Sequence, residues 1–155
     1  MKSLNITTKI RVCDYIELNK MEKILVEVAK EATTRAYSPY SHFQVGAALL
    51  LTNQEVISGN NQENIAYPSG LCAERTALFY ANSKFPTEAV DTIAVAAFCN
   101  DDYTTEPVIP CGACRQVIWE TQNRYNRPIQ IILYGKKEIY IIDSISGLLP
   151  LAFNR

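Results

Sequence analysis

Two short stretches constrain this chain more than anything else in it: Leu71-Cys72-Ala73-Glu74-Arg75 and Pro110-Cys111-Gly112-Ala113-Cys114. Each thiol falls at or within the first turn of an expected helix. A fold that serves both stretches must bring two helix N-termini to one point. Cys111 and Cys114 are three apart, so on a first helical turn they share a face, with Cβ atoms roughly 5–6 Å apart. Both sulfurs can then reach one ion at about 2.3 Å, and Cys72 adds a third from the neighbouring helix. Three thiolates hold Zn²⁺ and leave its fourth position open for water, which separates catalytic zinc from closed structural sites. Glu74, two residues past the first thiol, is placed to handle that water's protons.

The choice of ligands has an electrostatic cost. Three thiolates and Zn²⁺ sum to −1, and the excess negative charge weakens the metal as a Lewis acid. The positive ends of the two helices offset part of it and favour thiolates. Arg75 offsets more if it donates to a ligand sulfur; the alternative is an ordinary surface arginine. On its own, C-x-x-C also fits redox chemistry or structural zinc. A structural site needs a fourth tight ligand, and His42, the only histidine, lies in a turn with no matching spacing. A thioredoxin-like motif explains neither Cys72 nor Glu74. The stretches therefore read as a hydrolytic zinc site.

The remaining composition is compatible with that. A chain of 155 residues is one domain by size. Fifteen basic and 16 acidic side chains leave a formal charge of −1, with no electrostatic footprint for a nucleic-acid backbone. Five cysteines is an odd count, which suits a metal site plus spare thiols better than a disulfide framework. The first residues lack the continuous apolar core of a signal peptide, and no segment approaches the ~18 apolar residues that cross a bilayer. The chain is expected to stay in the cytoplasm, where thiols are kept reduced.

Residues 1–17 read as an N-terminal extension, with alternating Ile6, Thr8, Ile10 and Val12 hinting at an edge strand. Residues 18–155 read as the single zinc-site domain. From residue 18 to about 37, Met21, Ile24, Leu25, Val28, Ala29 and Ala32 follow helical spacing, with Asn19 as cap. Residues 43–51 and 55–60 form a hairpin, and the polar cluster Asn61-Gln62-Glu63-Asn64 leaves its end. A helix over 72–83, a doubly covered strand over 91–98 and a long loop over 99–109 follow. A helix over 111–124, strands over 129–134 and 138–142, and a short helix over 144–149 complete the chain. The expected class is α/β: a mixed five-stranded sheet with helices on both faces, a three-layer αβα sandwich.

Cys72-Ala73-Glu74 with Pro110-Cys111-Gly112-Ala113-Cys114 resembles the signature of the small homotetrameric cytidine deaminases. Ser38-Pro39-Tyr40-Ser41-His42-Phe43, Val45-Gly46-Ala47-Ala48-Leu49, Asn61-Gln62-Glu63-Asn64 and Leu148-Leu149-Pro150 are similar too, so the likeness spans about residues 20–153. It implies hydrolytic deamination of cytidine and 2′-deoxycytidine to uridine and 2′-deoxyuridine, in pyrimidine salvage. It implies one zinc per subunit on Cys72, Cys111 and Cys114. Glu74 would carry a proton from water to ring nitrogen N3 and then to the departing amino group. Phe43 would pack on the pyrimidine, the Ala73 backbone would help hold the base, and Asn61 and Glu63 would bind ribose hydroxyls. Tyr67 and Phe153 would act across subunits of a homotetramer with shared active sites. The ribose pair argues against a nucleoside antibiotic or a polynucleotide as the substrate.

Overall fold

The computed structural model describes residues 1–154; Arg155, the last residue of the expected domain, lies outside them. Asn19 caps the first helix, α1 (Lys20–Thr33), through a reciprocal capping box: its side chain accepts from Glu22 N while Glu22 accepts from Asn19 N. The helix stops short of the expected residue 37. Thr33 and Thr34 turn their hydroxyls back onto the carbonyls of Lys30 and Glu31, satisfying the last turn locally. A turn at Thr34 and Arg35 follows, and Tyr37 bridges to Gln62. The buried face of α1 carries Leu25, Val26, Ala29 and Ala32, while Ile24 is 40% exposed, so the apolar stripe is turned slightly from the expected one.

Four further elements, β2 (Gln44–Leu51), β3 (Val56–Asn60), α2 (Ala73–Lys84) and β4 (Val90–Cys99), follow in order. Then come α3 (Gly112–Arg124), β6 (Gln130–Tyr134) and β7 (Ile139–Ile142). The five expected strands are thus present. Two short ones join them: β1 (Arg11–Cys13) pairs antiparallel with β7, and β5 (Asp102–Tyr103) folds back on β4 inside the long loop. β1 lies at the sheet edge, at the end of the stretch where Ile6, Thr8, Ile10 and Val12 alternate, whereas β5, of two residues, is too short for a periodic sequence signal. The main sheet path runs β1-β7-β6-β4-β2-β3, and only the β4–β6 pair is parallel. The final short helix is one 3₁₀ turn at Ile145–Gly147.

Period-two alternation along β2 sends Ala48 and Leu50 towards α1 and Ala47, Leu49 and Leu51 towards the other face. The second face is covered by α2 and α3 through Ala77, Leu78, Ala81 and Ile118. Each fully buried Leu or Ile there contributes about 1.5–3 kcal/mol. Helices on opposite faces of one mixed sheet give the expected three layers.

One close approach of strand to helix matters for the thiols. A Cβ at Gly59 would lie 2.6 Å from Ala77 N and 2.9 Å from Ala73 O, so β3 touches the backbone of the first turns of α2. Gly59→Ala is expected to push that helix off the sheet. The cost should be about 1–3 kcal/mol, read as a fall in thermal midpoint of several degrees, with weaker zinc retention than the unaltered protein.

Candidate metal centre and catalytic cavity

Cys72 is the N-cap of α2 and Cys111 the N-cap of α3, both in extended conformation, and Cys114 lies in the first turn of α3. Helix N-termini present N–H groups without intrahelical partners, so the sulfurs sit in a positive field. The three sulfurs lie within 4.8 Å of one another. Cys72 Sγ and Cys111 Sγ are 3.8 Å apart. Tetrahedral Zn–S bonds of about 2.3 Å require S···S near ~3.8 Å, so the spacing fits zinc. Among the described residues no fourth His, Cys, Asp or Glu joins this cluster. His42 lines a different cavity, beside Cys99 and Asp101.

Charge supports the same fit. Among the protein groups alone, the Cys72 thiol is lowered to about 5, by a hydrogen bond with Cys114 first and by Arg75 after it. Cys114 moves up through that same bond and its burial. Three crowded thiols with one neighbouring cation cannot all ionise together, and a divalent ion supplies the missing positive charge. Arg75 Nη2 lies 3.7 Å from Cys72 Sγ as donor, which decides between its two sequence readings.

Glu74 is 4% exposed, behind the thiols in the first turn of α2. Burial raises its pKa above the ordinary carboxylate value, and the Cys72 charge adds to the shift. The centre opens into a cavity of about 750 Å³ whose lining includes Phe43, Asn61, Glu63, Tyr67, Cys72 and Glu74. Ala73 is fully buried beneath it.

The polar cluster after β3 is held by a pinched loop. Gln62 and Leu71 exchange backbone hydrogen bonds at 2.9 Å, so the loop closes immediately before Cys72. Asn61 Nδ2 donates to Phe43 O at 2.9 Å, and Asn61 Oδ1 accepts from Val45 N at 2.7 Å. Glu63 accepts from Tyr40 N, Ser41 N and the Ser41 hydroxyl, which lowers its pKa, the hydroxyl contributing most. Tyr67 meets Tyr40 edge-on, with centroids 6.2 Å apart, at the mouth. Phe153 is 78% exposed and lies away from the cavity, beside Trp119, its backbone paired with the Gln116 side chain.

Arg115 is a positioning residue that the motif reading passed over. Its Nε donates to Pro110 O at 2.8 Å and its Nη1 to Leu148 O at 2.9 Å, tying the turn before Cys111 to the C-terminal segment. The available signal was a basic residue directly after the second cysteine of C-x-x-C.

Three thiols from two helix tips, joined by no fourth protein ligand among the described residues, and a buried carboxylate on an α/β sandwich define a zinc-dependent enzyme of the hydrolytic kind. The family model described as "Cytidine and deoxycytidylate deaminase zinc-binding region" matches residues 19–126. The chain belongs to the cytidine and deoxycytidylate deaminase family. It is 49% identical over 98 residues to a cytidine deaminase of Halalkalibacterium halodurans, covering 63% of this chain and 70% of that one. With a cytidine deaminase of Sporosarcina psychrophila it shares 42% identity over 135 residues, covering 87% and 92% of the two chains. The crystal structure of cytidine deaminase from Burkholderia pseudomallei superposes with a TM-score of 0.73 at 36% identity, covering 88% of this chain and all of the other.

Proposed function

We infer that the chain is a cytidine deaminase, hydrolysing cytidine and 2′-deoxycytidine to uridine and 2′-deoxyuridine with release of ammonia. The observation that carries this is the three-thiol cluster opening, beside buried Glu74, into a cavity lined by Asn61 and Glu63. Cys72, Cys111 and Cys114 would hold one zinc per subunit, and the ion would supply the Lewis acid that lowers the pKa of water.

The chain's own residues do the rest. Glu74 takes a proton from the attacking water and delivers it to N3. It then takes the remaining proton from the hydroxyl now on C4 and passes it to the amino group; the C4–N bond breaks, the carbonyl of uridine forms and ammonia leaves. One carboxyl serving as base and then acid needs a raised pKa, and burial pushes Glu74 that way. Phe43 packs on the pyrimidine, and the Ala73 backbone holds the base.

Asn61 and Glu63 bind the ribose hydroxyls. Glu63 has about four lone-pair sites and uses three on Tyr40 and Ser41, leaving one acceptor. Asn61 spends one amide hydrogen on Phe43 and keeps the other. A free donor next to a free acceptor suits a sugar hydroxyl, and the bonds already made fix both groups in place.

The active assembly is a homotetramer with shared sites, in the cytoplasm, serving pyrimidine salvage. Ile65 is 80% exposed, Tyr67 77% and Phe153 78%. Large apolar side chains this bare suit a subunit contact. Tyr67 and Phe153 complete a neighbour's pocket. Residues 18–155 form the deaminase domain and 1–17 an extension of it; among the described residues no helix is long and apolar enough to cross a membrane.

Metal analysis alongside an ammonia assay tests the reading. One zinc per chain and ammonia from both nucleosides are expected. Metal-free purified protein, or zinc-loaded protein inert towards cytidine, would overturn it.

A further inference from the structure

One wall of the cavity has no part in the reaction described above. Val108 and Ile109 line it, and they come from the segment between β5 and α3, not from the elements bearing Glu74, Asn61 or Glu63. Ile109 is 38% exposed, a large aliphatic side chain left bare beside a metal centre.

The segment is pinned along its length. Lys136 N donates to Thr104 O and Lys137 N to Thr105 O, both at 3.0 Å. Lys136 pairs with Asp102 and Lys137 with Glu106. Tyr103 packs edge-on between Phe98 and Tyr134, with centroids 5.3 and 5.9 Å away. A Cβ at Gly135 would lie 2.7 Å from Pro107 N and 2.8 Å from Glu106 C, so the end of β6 presses on backbone one residue before Val108. On the far side Arg115 holds Pro110 O. Surface ion pairs add little. The backbone contacts and the aromatic cluster fix where the two side chains stand.

The ring's orientation gives that wall a task, and here the inference rests on the proposed reaction. In the proposed reaction C4 would face the thiols and N3 would face Glu74 of α2, which would turn the C5 edge away from α2, towards the wall that leads into α3. Val108 and Ile109 precede Pro110 and Cys111, the N-cap of α3. In cytidine C5 carries only hydrogen, an apolar edge that two aliphatic side chains match. We propose that Val108 and Ile109 gauge the substituent at C5 of the pyrimidine, so that this segment sets which 5-substituted cytidines the site accepts.

The test uses zinc-loaded full-length protein, unaltered and as Val108→Ala, Ile109→Ala and the milder Ile109→Val, with cytidine and 5-iodocytidine. A methylene in an apolar pocket changes discrimination by roughly tenfold or more. Either alanine variant is expected to raise the kcat/KM ratio of 5-iodocytidine to cytidine at least about fivefold, with zinc content unchanged. Ile109→Val should move it the same way by less. Calorimetric binding of 5-iodouridine against uridine should follow the same order. An unchanged ratio in zinc-retaining variants overturns the gauge alone. Should an alanine variant lose zinc, Ile109→Val decides by the same criterion. No turnover of cytidine by the unaltered protein overturns the reaction and the gauge together.

Discussion

Glu74→Ala protein is expected to fold, to bind zinc as the unaltered protein does, and to deaminate cytidine at least ~10³-fold more slowly. General acid–base catalysis is worth typically about 10²–10⁴-fold. The upper part of that range is expected because, in the proposed reaction, one carboxyl serves two proton transfers in sequence. Metal retention is expected because Glu74 lies outside the thiol cluster. Folding is expected because the side chain removed is a buried carboxylate whose desolvation already disfavours its charge. Glu74→Gln separates chemistry from packing. It keeps the volume and a polar tip, and it cannot take up a proton. If Glu74 only filled space, the glutamine variant would recover most of the rate. Ammonia release within tenfold of normal from Glu74→Gln, at full zinc content, would remove Glu74 from the proton path.

The thiol spacing and the helix starts were legible because they are local. A pair three apart on a first helical turn has little geometric freedom, and two N-caps aimed at one ion fix how α2 and α3 meet. The five main strands were legible for a similar reason, since continuous apolar runs over β2 and β4 admit little but central strands. The role of Arg75 was open, because a contact between its guanidinium and Cys72 depends on the rotamer chosen and not on the spacing. Arg115 and the pinned 99–110 segment were not legible. Their contacts join residues more than 30 positions apart, Arg115 to Leu148 and Lys136 to Asp102. Lys136 reaches Asp102 because β4 and β6 are neighbours, and Arg115 reaches Leu148 because α3 packs on the turn that follows β7. The early end of α1 went the same way: the threonine hydroxyls competing for its last carbonyls are a local signal, but an apolar period overrides it on the page.

Cys114→Ser should abolish metal binding and turnover together, and should destabilise the chain by an amount that chelation reproduces. Cys114 is fully buried. Of the three sulfurs it has the least room to be replaced by solvent. A serine hydroxyl there stays protonated near neutral pH, so it offers zinc a weak neutral oxygen in place of a thiolate. Two thiols remain, and with one of only three protein ligands gone the site loses most of its hold on the ion. Zinc at a thousandfold excess over its Kd stabilises the folded form by about 4 kcal/mol, which for a chain of this size is a midpoint shift of roughly 8–16 °C. The unaltered protein should lose that much on chelation. Cys114→Ser should start from the lower midpoint and not respond to chelator. Cys13→Ser and Cys99→Ser, whose thiols stand outside the cluster, should behave as the unaltered protein does. A Cys114→Ser variant that purified with one zinc and still fell on chelation would mean that the ion is held elsewhere. The acidic limit is set by the same ligands. Protons compete for the thiolates, so zinc should be lost progressively as the solution is made acidic.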